Sequence, residues 1–203
     1  MSEAAVVEPI GKRERAKAAN RQAILAAARR VFAEMGYEAA TVRDVIRGTD
    51  LASGTFYNYF RSKEEVFDAL TEDAVQRFQP LLRAARERAS SFEEYLALAF
   101  TAYFQFVIQE NRIEGKPAGE RAPHVRTDTP EMKAIYQEVR EGIEAAIARG
   151  AAPPIDADFL TFACIGIAQE VGAAMMRRSP PNVEAATQFA VGLILRGLGP
   201  AQR

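Results

Sequence analysis

FAEMGYEAATVRDVIRGTDLASGTFYNYFRSKEE, residues 32 to 65, decides how the chain is read. Helical spacing leads into it: Ile24, Leu25, Ala28, Val31, Phe32 and Met35 recur on one face, with Arg21, Arg29, Arg30 and Glu34 on others. This predicts a helix from Asn20 that stops at Gly36. Thr41 then suits the cap of a short helix carrying Val42, Val45 and Ile46, and another short helix begins near Ala52 with Phe56, Tyr59 and Phe60. Ser62-Lys63-Glu64-Glu65 has the Ser-x-x-Glu form of a capping box, so a new helix starts there. Two helices of about ten residues joined by a turn of about three or four make a helix-turn-helix. Phe56 and Phe60 are assigned to a core with Val31, Phe32 and Val45, which leaves Tyr57 and Tyr59 with polar tips outward.

The same period continues to the end. Ser91-Phe92-Glu93-Glu94 repeats the capping signal ahead of Tyr95 to Gln109, a helix apolar nearly all round and so enclosed on all sides. Gly115 to Pro130 reads as loop or broken helix. Thr129-Pro130 opens a helix running to Gly150, Asp156 caps the next through Met176, and Asn182 caps the last, which ends at Gly197. Strand signals are nearly absent. The expectation is an all-α protein of about nine helices, divided into residues 1–62 and 63–203.

Composition narrows the class. Of 203 residues, 26 are Lys or Arg and 27 Asp or Glu, and 48% are hydrophobic, the balance of a globular chain. One Cys and one His exclude an internal disulfide and a Cys/His zinc site, and no cofactor motif appears. The N-terminus lacks a signal-type apolar core, and Tyr95 to Ile108 is the longest near-apolar run, well short of the roughly 20 residues of a bilayer span. A cytoplasmic protein without a membrane partner is expected. Charge is uneven: residues 1–63 hold 11 Lys and Arg against 7 acids, while the rest holds 15 against 20. A basic end on an acidic body points to a polyanion at that end.

Phe32-x-x-x-Gly36-Tyr37, Thr41-Val42-Arg43-Asp44-Val45 and Gly54-Thr55-Phe56-Tyr57-Asn58-Tyr59-Phe60-x-Ser62-Lys63-Glu64-Glu65 together resemble the DNA-binding domain of the tetracycline-repressor (TetR) family. The likeness covers about residues 20 to 65. It implies a regulator that binds double-stranded DNA, with Arg43, Ser53, Gly54 and Tyr57 reading bases and Thr41, Thr55, Tyr59 and Lys63 anchoring phosphates. The chemistry agrees, because Arg pairs bidentately with guanine while Thr, Tyr and Lys suit phosphate oxygens. Lys12, Arg13, Arg15 and Lys17 form a basic arm. Three positions depart from the family pattern: Asp50 stands where the turn normally has Gly, Ala52 where Ser caps the recognition helix, and Ile46 where Ala is common. Asp50 is expected to tolerate a left-handed turn.

The resemblance also implies a C-terminal region that binds a small effector and forms a homodimer. Phe100, Thr101, Tyr103, Phe104, Gln105 and Val107 are the candidate wall of an effector site, faced by Tyr136, Phe162 and Gln169. Gly166, Gly172, Ala173, Met176, Phe189 and Gly192 are candidates for the dimer contact, since small residues let helices approach closely. Pro80 should kink or restart the long helix expected from Lys63 to about Arg88, a connector through which an effector could act. The leading expectation is an effector-controlled repressor on a palindromic operator. A DNA-binding activator and an all-α protein-interaction module remain alternatives. An enzyme does not fit, for no nucleophile with a spare His, phosphate loop or metal cluster is present in the sequence.

Overall fold

A computed structural model describes residues 11–110 and 129–197. Every regular element among them is helical: α1 (Lys12–Met35), α2 (Val42–Arg47), α3 (Ser53–Tyr57), α4 (Lys63–Arg88), α5 (Phe92–Glu110), α6 (Pro130–Ala148), α7 (Ala157–Met176) and α8 (Val183–Gly197). The chain divides into two compact units, one running to Leu70 and the other starting at Thr71, so the first two turns of α4 belong to the N-terminal core. His124 and most of the segment expected as loop lie outside the described residues.

In the N-terminal unit, Ile24, Leu25, Ala27 and Ala28 of α1 bury against Val45 of α2, Phe56 of α3, Phe60, and Val66, Ala69 and Leu70 of α4. Val31 and Phe32 lie at the edge of this core. Helix α1 begins at Lys12, not near Asn20, so the expected arm is its first two turns. Those residues are exposed, and a turn with no core to face gives no apolar period, yet Lys, Arg and Ala are strong helix formers. Gly36 ends the helix at φ +79°, a conformation that favours glycine.

Thr41 and Asp44 close α2 with a reciprocal capping box: the Asp44 N–H donates to Thr41 Oγ1 at 3.3 Å and the Thr41 N–H to Asp44 Oδ2 at 3.0 Å. The turn to α3 is held by Thr49, whose hydroxyl donates to the Ile46 carbonyl at 2.8 Å and accepts the Leu51 N–H at 3.2 Å. Asp50 needs no left-handed backbone, since no residue other than glycine among the described ones has positive φ; Thr49 does the work expected of that conformation. Ala52 caps α3 without a side-chain hydrogen bond. At α4 the Glu65 N–H donates to Ser62 Oγ at 3.2 Å, while the Glu65 carboxylate accepts the Arg61 N–H at 2.7 Å, one residue earlier than a capping box reaches.

The C-terminal unit is built round α5, which packs against α6, α7 and α8. Phe92, Tyr95, Leu96, Phe100 and Phe104 of α5 bury with Phe78 and Leu82 of α4, Ile135 and Ile143 of α6, Leu160 and Cys164 of α7, and Ala190 and Ile194 of α8. Pro80 does not restart α4, which continues through it. Proline forfeits one helical hydrogen bond, and the buried Phe78 and Leu82 on either side hold the helix in place. Helix α7 is the one described helix with the length and hydropathy of a bilayer span; its Leu160, Cys164 and Met175 are core residues.

Candidate nucleic-acid interface

Helices α2 and α3 expose one face each and anchor the other. Val45 and Phe56 are buried, which fixes the rotation of both short helices, and the same rotation leaves Arg43, Ser53, Gly54 and Tyr57 exposed. A Cβ built at Gly54 meets nothing, so the start of α3 is open to close approach by another backbone. Tyr57 is 55% exposed while its ring rests edge-on against Phe56 at 5.4 Å, an arrangement that orients a polar tip without burying it. The result is a surface with a guanidinium, a hydroxyl, a bare backbone and a phenol, all donors suited to base edges and phosphates.

The residues expected at phosphates are placed differently. Thr55 is half-buried, and Tyr59 is half-buried at the edge of the core. The Thr41 hydroxyl donates to Asp44 Oδ2 at 2.6 Å as part of the cap. Asp44 is correspondingly held below the ordinary carboxylate value, first by that hydroxyl and then by the Thr41 N–H. Lys63 points inward, where its ammonium donates to the carbonyls of Tyr37, Glu38 and Ala40 at 2.9, 3.3 and 3.3 Å. It also sits 4.4 Å from the centre of the Tyr37 ring. The side chain reads in sequence as a basic group at a helix start, and only its contacts show where its donors go.

In the second unit, Phe100 and Phe104 are buried in the core. Tyr103 packs against Phe78 at 5.6 Å, and burial pushes its hydroxyl up to about 12. The Thr101 hydroxyl lies 3.2 Å from that of Thr187, and Val107 is half-buried. Gln105 and Gln169 are exposed, and Phe162 is exposed beside Tyr136, with ring centres 5.0 Å apart, so these three do not join Phe104. Helix α7 is apolar on more than one side, so its sequence does not show which face turns inward.

Among the dimer candidates, Gly172 is buried inside its own chain, where a Cβ would come 3.1 Å from Tyr103. It permits intramolecular contact. Ala173 and Met176 are half-buried, whereas Gly166 has open space above it and Phe189 is exposed. Gly192 lies beside the Arg196 side chain. Phe159, 76% exposed, is one of four large apolar side chains left exposed on α7 and α8, with Phe162, Phe189 and Leu193. Phe159 and Leu193 carry no sequence signal of exposure, because α7 and α8 are apolar on more than one face.

A three-helix core that presents a short exposed helix after a tight turn defines a helix-turn-helix DNA-binding regulator. Residues 24–70 match the family model for bacterial regulatory proteins of the tetR family. The chain is 27% identical over 148 residues to the HTH-type transcriptional regulator YhgD of Bacillus subtilis, covering 68% of this chain and 75% of that one. It is 25% identical over 146 residues to the HTH-type transcriptional repressor KstR2 of Mycobacterium tuberculosis, covering 68% and 72%. In fold it is similar to FadR of Bacillus subtilis, solved with stearoyl-CoA, at a TM-score of 0.71, 18% identity, and coverage of 87% and 98%. Residues 24–70 thus carry a DNA-binding domain of the TetR type, and the chain is similar over two thirds of its length to transcriptional regulators that share it.

Proposed function

We propose that this regulator is a repressor that binds a palindromic operator as a homodimer and leaves it when a small, largely apolar effector occupies the C-terminal unit. The observation that carries the reading is the joint exposure of Arg43, Ser53, Gly54 and Tyr57 on helices pinned by Val45 and Phe56. Arg43 is assigned to a guanine, Ser53 and the Gly54 backbone to the close approach of α3, and Tyr57 to a base edge. Thr41, Thr55 and Tyr59 border that surface. Arg13, Lys17 and Arg21 follow at i, i+4 and i+8 along α1, a row of cations that supports phosphate contacts at the flank, and Arg21 lies 5.8 Å from the centre of the Phe60 ring.

A homodimer is supported by the outer face of Phe159, Phe162, Phe189 and Leu193, with Gly166 allowing close approach. Large apolar side chains are costly to leave in water, and a two-fold pair suits a palindrome. An apolar effector is supported by the aromatic wall of Phe100, Tyr103 and Phe104. The Thr161 hydroxyl, 3% exposed and without a hydrogen-bond partner, is a polar group that a bound molecule could satisfy. The likeness in fold to a protein solved with stearoyl-CoA is consistent with a long apolar effector. Such a regulator acts in the cytoplasm.

The test is affinity for a selected duplex against random duplex at near-physiological salt. A specific regulator prefers its site by about a thousandfold or more. Equal affinity for both, or none for either, would leave the protein-interaction alternative in place.

A further inference from the structure

In the N-terminal unit, Lys63, the first residue of α4, has its ammonium held by main-chain acceptors. Its Nζ reaches three carbonyls in the α1–α2 connection, those of Tyr37, Glu38 and Ala40, at 2.9 to 3.3 Å. An ammonium has three donors, and all three are used. The next residue, Glu64, accepts a hydrogen bond from the Tyr37 hydroxyl at 3.2 Å. The first turn of α4 therefore grips Tyr37 by its carbonyl, its ring face and its hydroxyl. Phe67, one turn on, adds a ring contact at 5.1 Å, and Phe32 closes the other side at 5.4 Å. The connection ends at Ala40, and Thr41 starts the capping box of α2, which carries Arg43.

We infer that Lys63 is a positioning residue for sequence reading: it clasps the Tyr37–Ala40 connection to α4 and thereby sets where α2 presents Arg43, instead of contributing a phosphate contact. The inference rests on the DNA-binding reading for its functional half. The clasp itself stands on contacts within the free protein. A phosphate contact would require the ammonium to abandon carbonyls that have no other described side-chain donor. Methionine at this position keeps the stem and removes the donors, so Lys63→Met isolates the ammonium.

Two measurements decide it. In the free protein, hydrogen exchange at the Ala40 and Thr41 amides should speed up by about tenfold or more in Lys63→Met, while the Ile24 and Leu25 amides stay protected. Unchanged exchange at Ala40 and Thr41 would overturn the clasp, whatever the DNA results. In operator titrations over a range of salt, Lys63→Met should lose roughly tenfold in affinity for the operator and little for random duplex, with the wild-type salt slope. Lys63→Met combined with Arg43→Ala should bind no worse than Arg43→Ala alone, because the first acts through the second. A slope shallower by about 0.9 per lost contact, with operator and random duplex weakened equally, would make Lys63 a phosphate ligand and overturn the inference. Should Lys63→Met fail to fold, Tyr37→Leu, which removes the ring and hydroxyl from the clasp, must speed the same two amides. Wild-type protein that prefers no sequence would count against the DNA reading alone, and the exchange result would still judge the clasp.

Discussion

The Arg86 guanidinium of α4 lies 3.1 Å from Glu138 of α6, a carboxylate that is only 5% exposed. Arg83 approaches the same carboxylate at 3.6 Å, and Arg86 also donates to Glu141 at 2.6 Å. Glu138 Oε1 accepts no well-formed hydrogen bond, and the two arginines are the described partners of this carboxylate. Removing one partner of a buried pair costs more than the pair contributes. Arg86→Met should destabilise the protein by about 2 to 4 kcal/mol, and Arg86→Met with Glu138→Leu should recover most of that. Urea denaturation followed by circular dichroism measures both, and a double variant no more stable than the single one would contradict this account.

Ala52 leaves the first N–H groups of α3 without a side-chain acceptor. Ala52→Ser should stabilise the N-terminal unit by about 0.5 to 1 kcal/mol and leave the C-terminal unit unchanged. Hydrogen exchange across α3 compared with α5 reads the difference. Slower exchange in both, or in neither, would mean the cap is not what α3 lacks.

Much of this was legible beforehand, and the failures share a cause. The core of the N-terminal unit followed from spacing because Ile24, Ala28, Val45 and Phe56 have polar neighbours that mark the other face. Helix ends were legible wherever a hydroxyl or carboxylate caps them, as at Thr41, Thr129 and Asp156. Phase was lost on α7, where Phe159 and Phe162 face out while Leu160 and Cys164 face in, since apolar residues on every side give no contrast. Small size showed at Gly172 and Gly166 alike. Only tertiary contacts reveal that the first accommodates Tyr103 and the second stands open. The carbonyl partners of Lys63 were illegible for a related reason: a charge in a sequence has no direction.

Asp44 gives the account a pH dependence. Its carboxyl is held below its ordinary value of 3.8 by the Thr41 hydroxyl and N–H, so the stabilisation is fully present above that value and is lost as pH falls through the lower folded value. Thr41→Ala should move the Asp44 titration upward in a carboxyl-detected NMR experiment and shift acid unfolding of the N-terminal unit to higher pH. An unmoved titration would remove Thr41 from the explanation.

The outer face of α7 and α8 should hold two copies together. Phe159→Glu and Phe189→Glu each place a charge on an exposed apolar residue, so the single chain loses little and a pair loses much. Sedimentation should show dimers for the wild-type protein and monomers for the double variant, with helical content retained. Wild-type monomers would refute the dimer outright.

The central claim is that α2 and α3 read a base sequence, and selection of bound duplexes from a random library at near-physiological salt tests it most directly. The account predicts enrichment of one palindrome, and a loss of about 1 to 3 kcal/mol on the winner for Arg43→Ala, with relaxed preference at one base pair in each half-site. If no sequence is enriched, or if Arg43→Ala binds the winner as tightly as the wild-type protein and with the same preferences, the surface described here is not what reads the DNA.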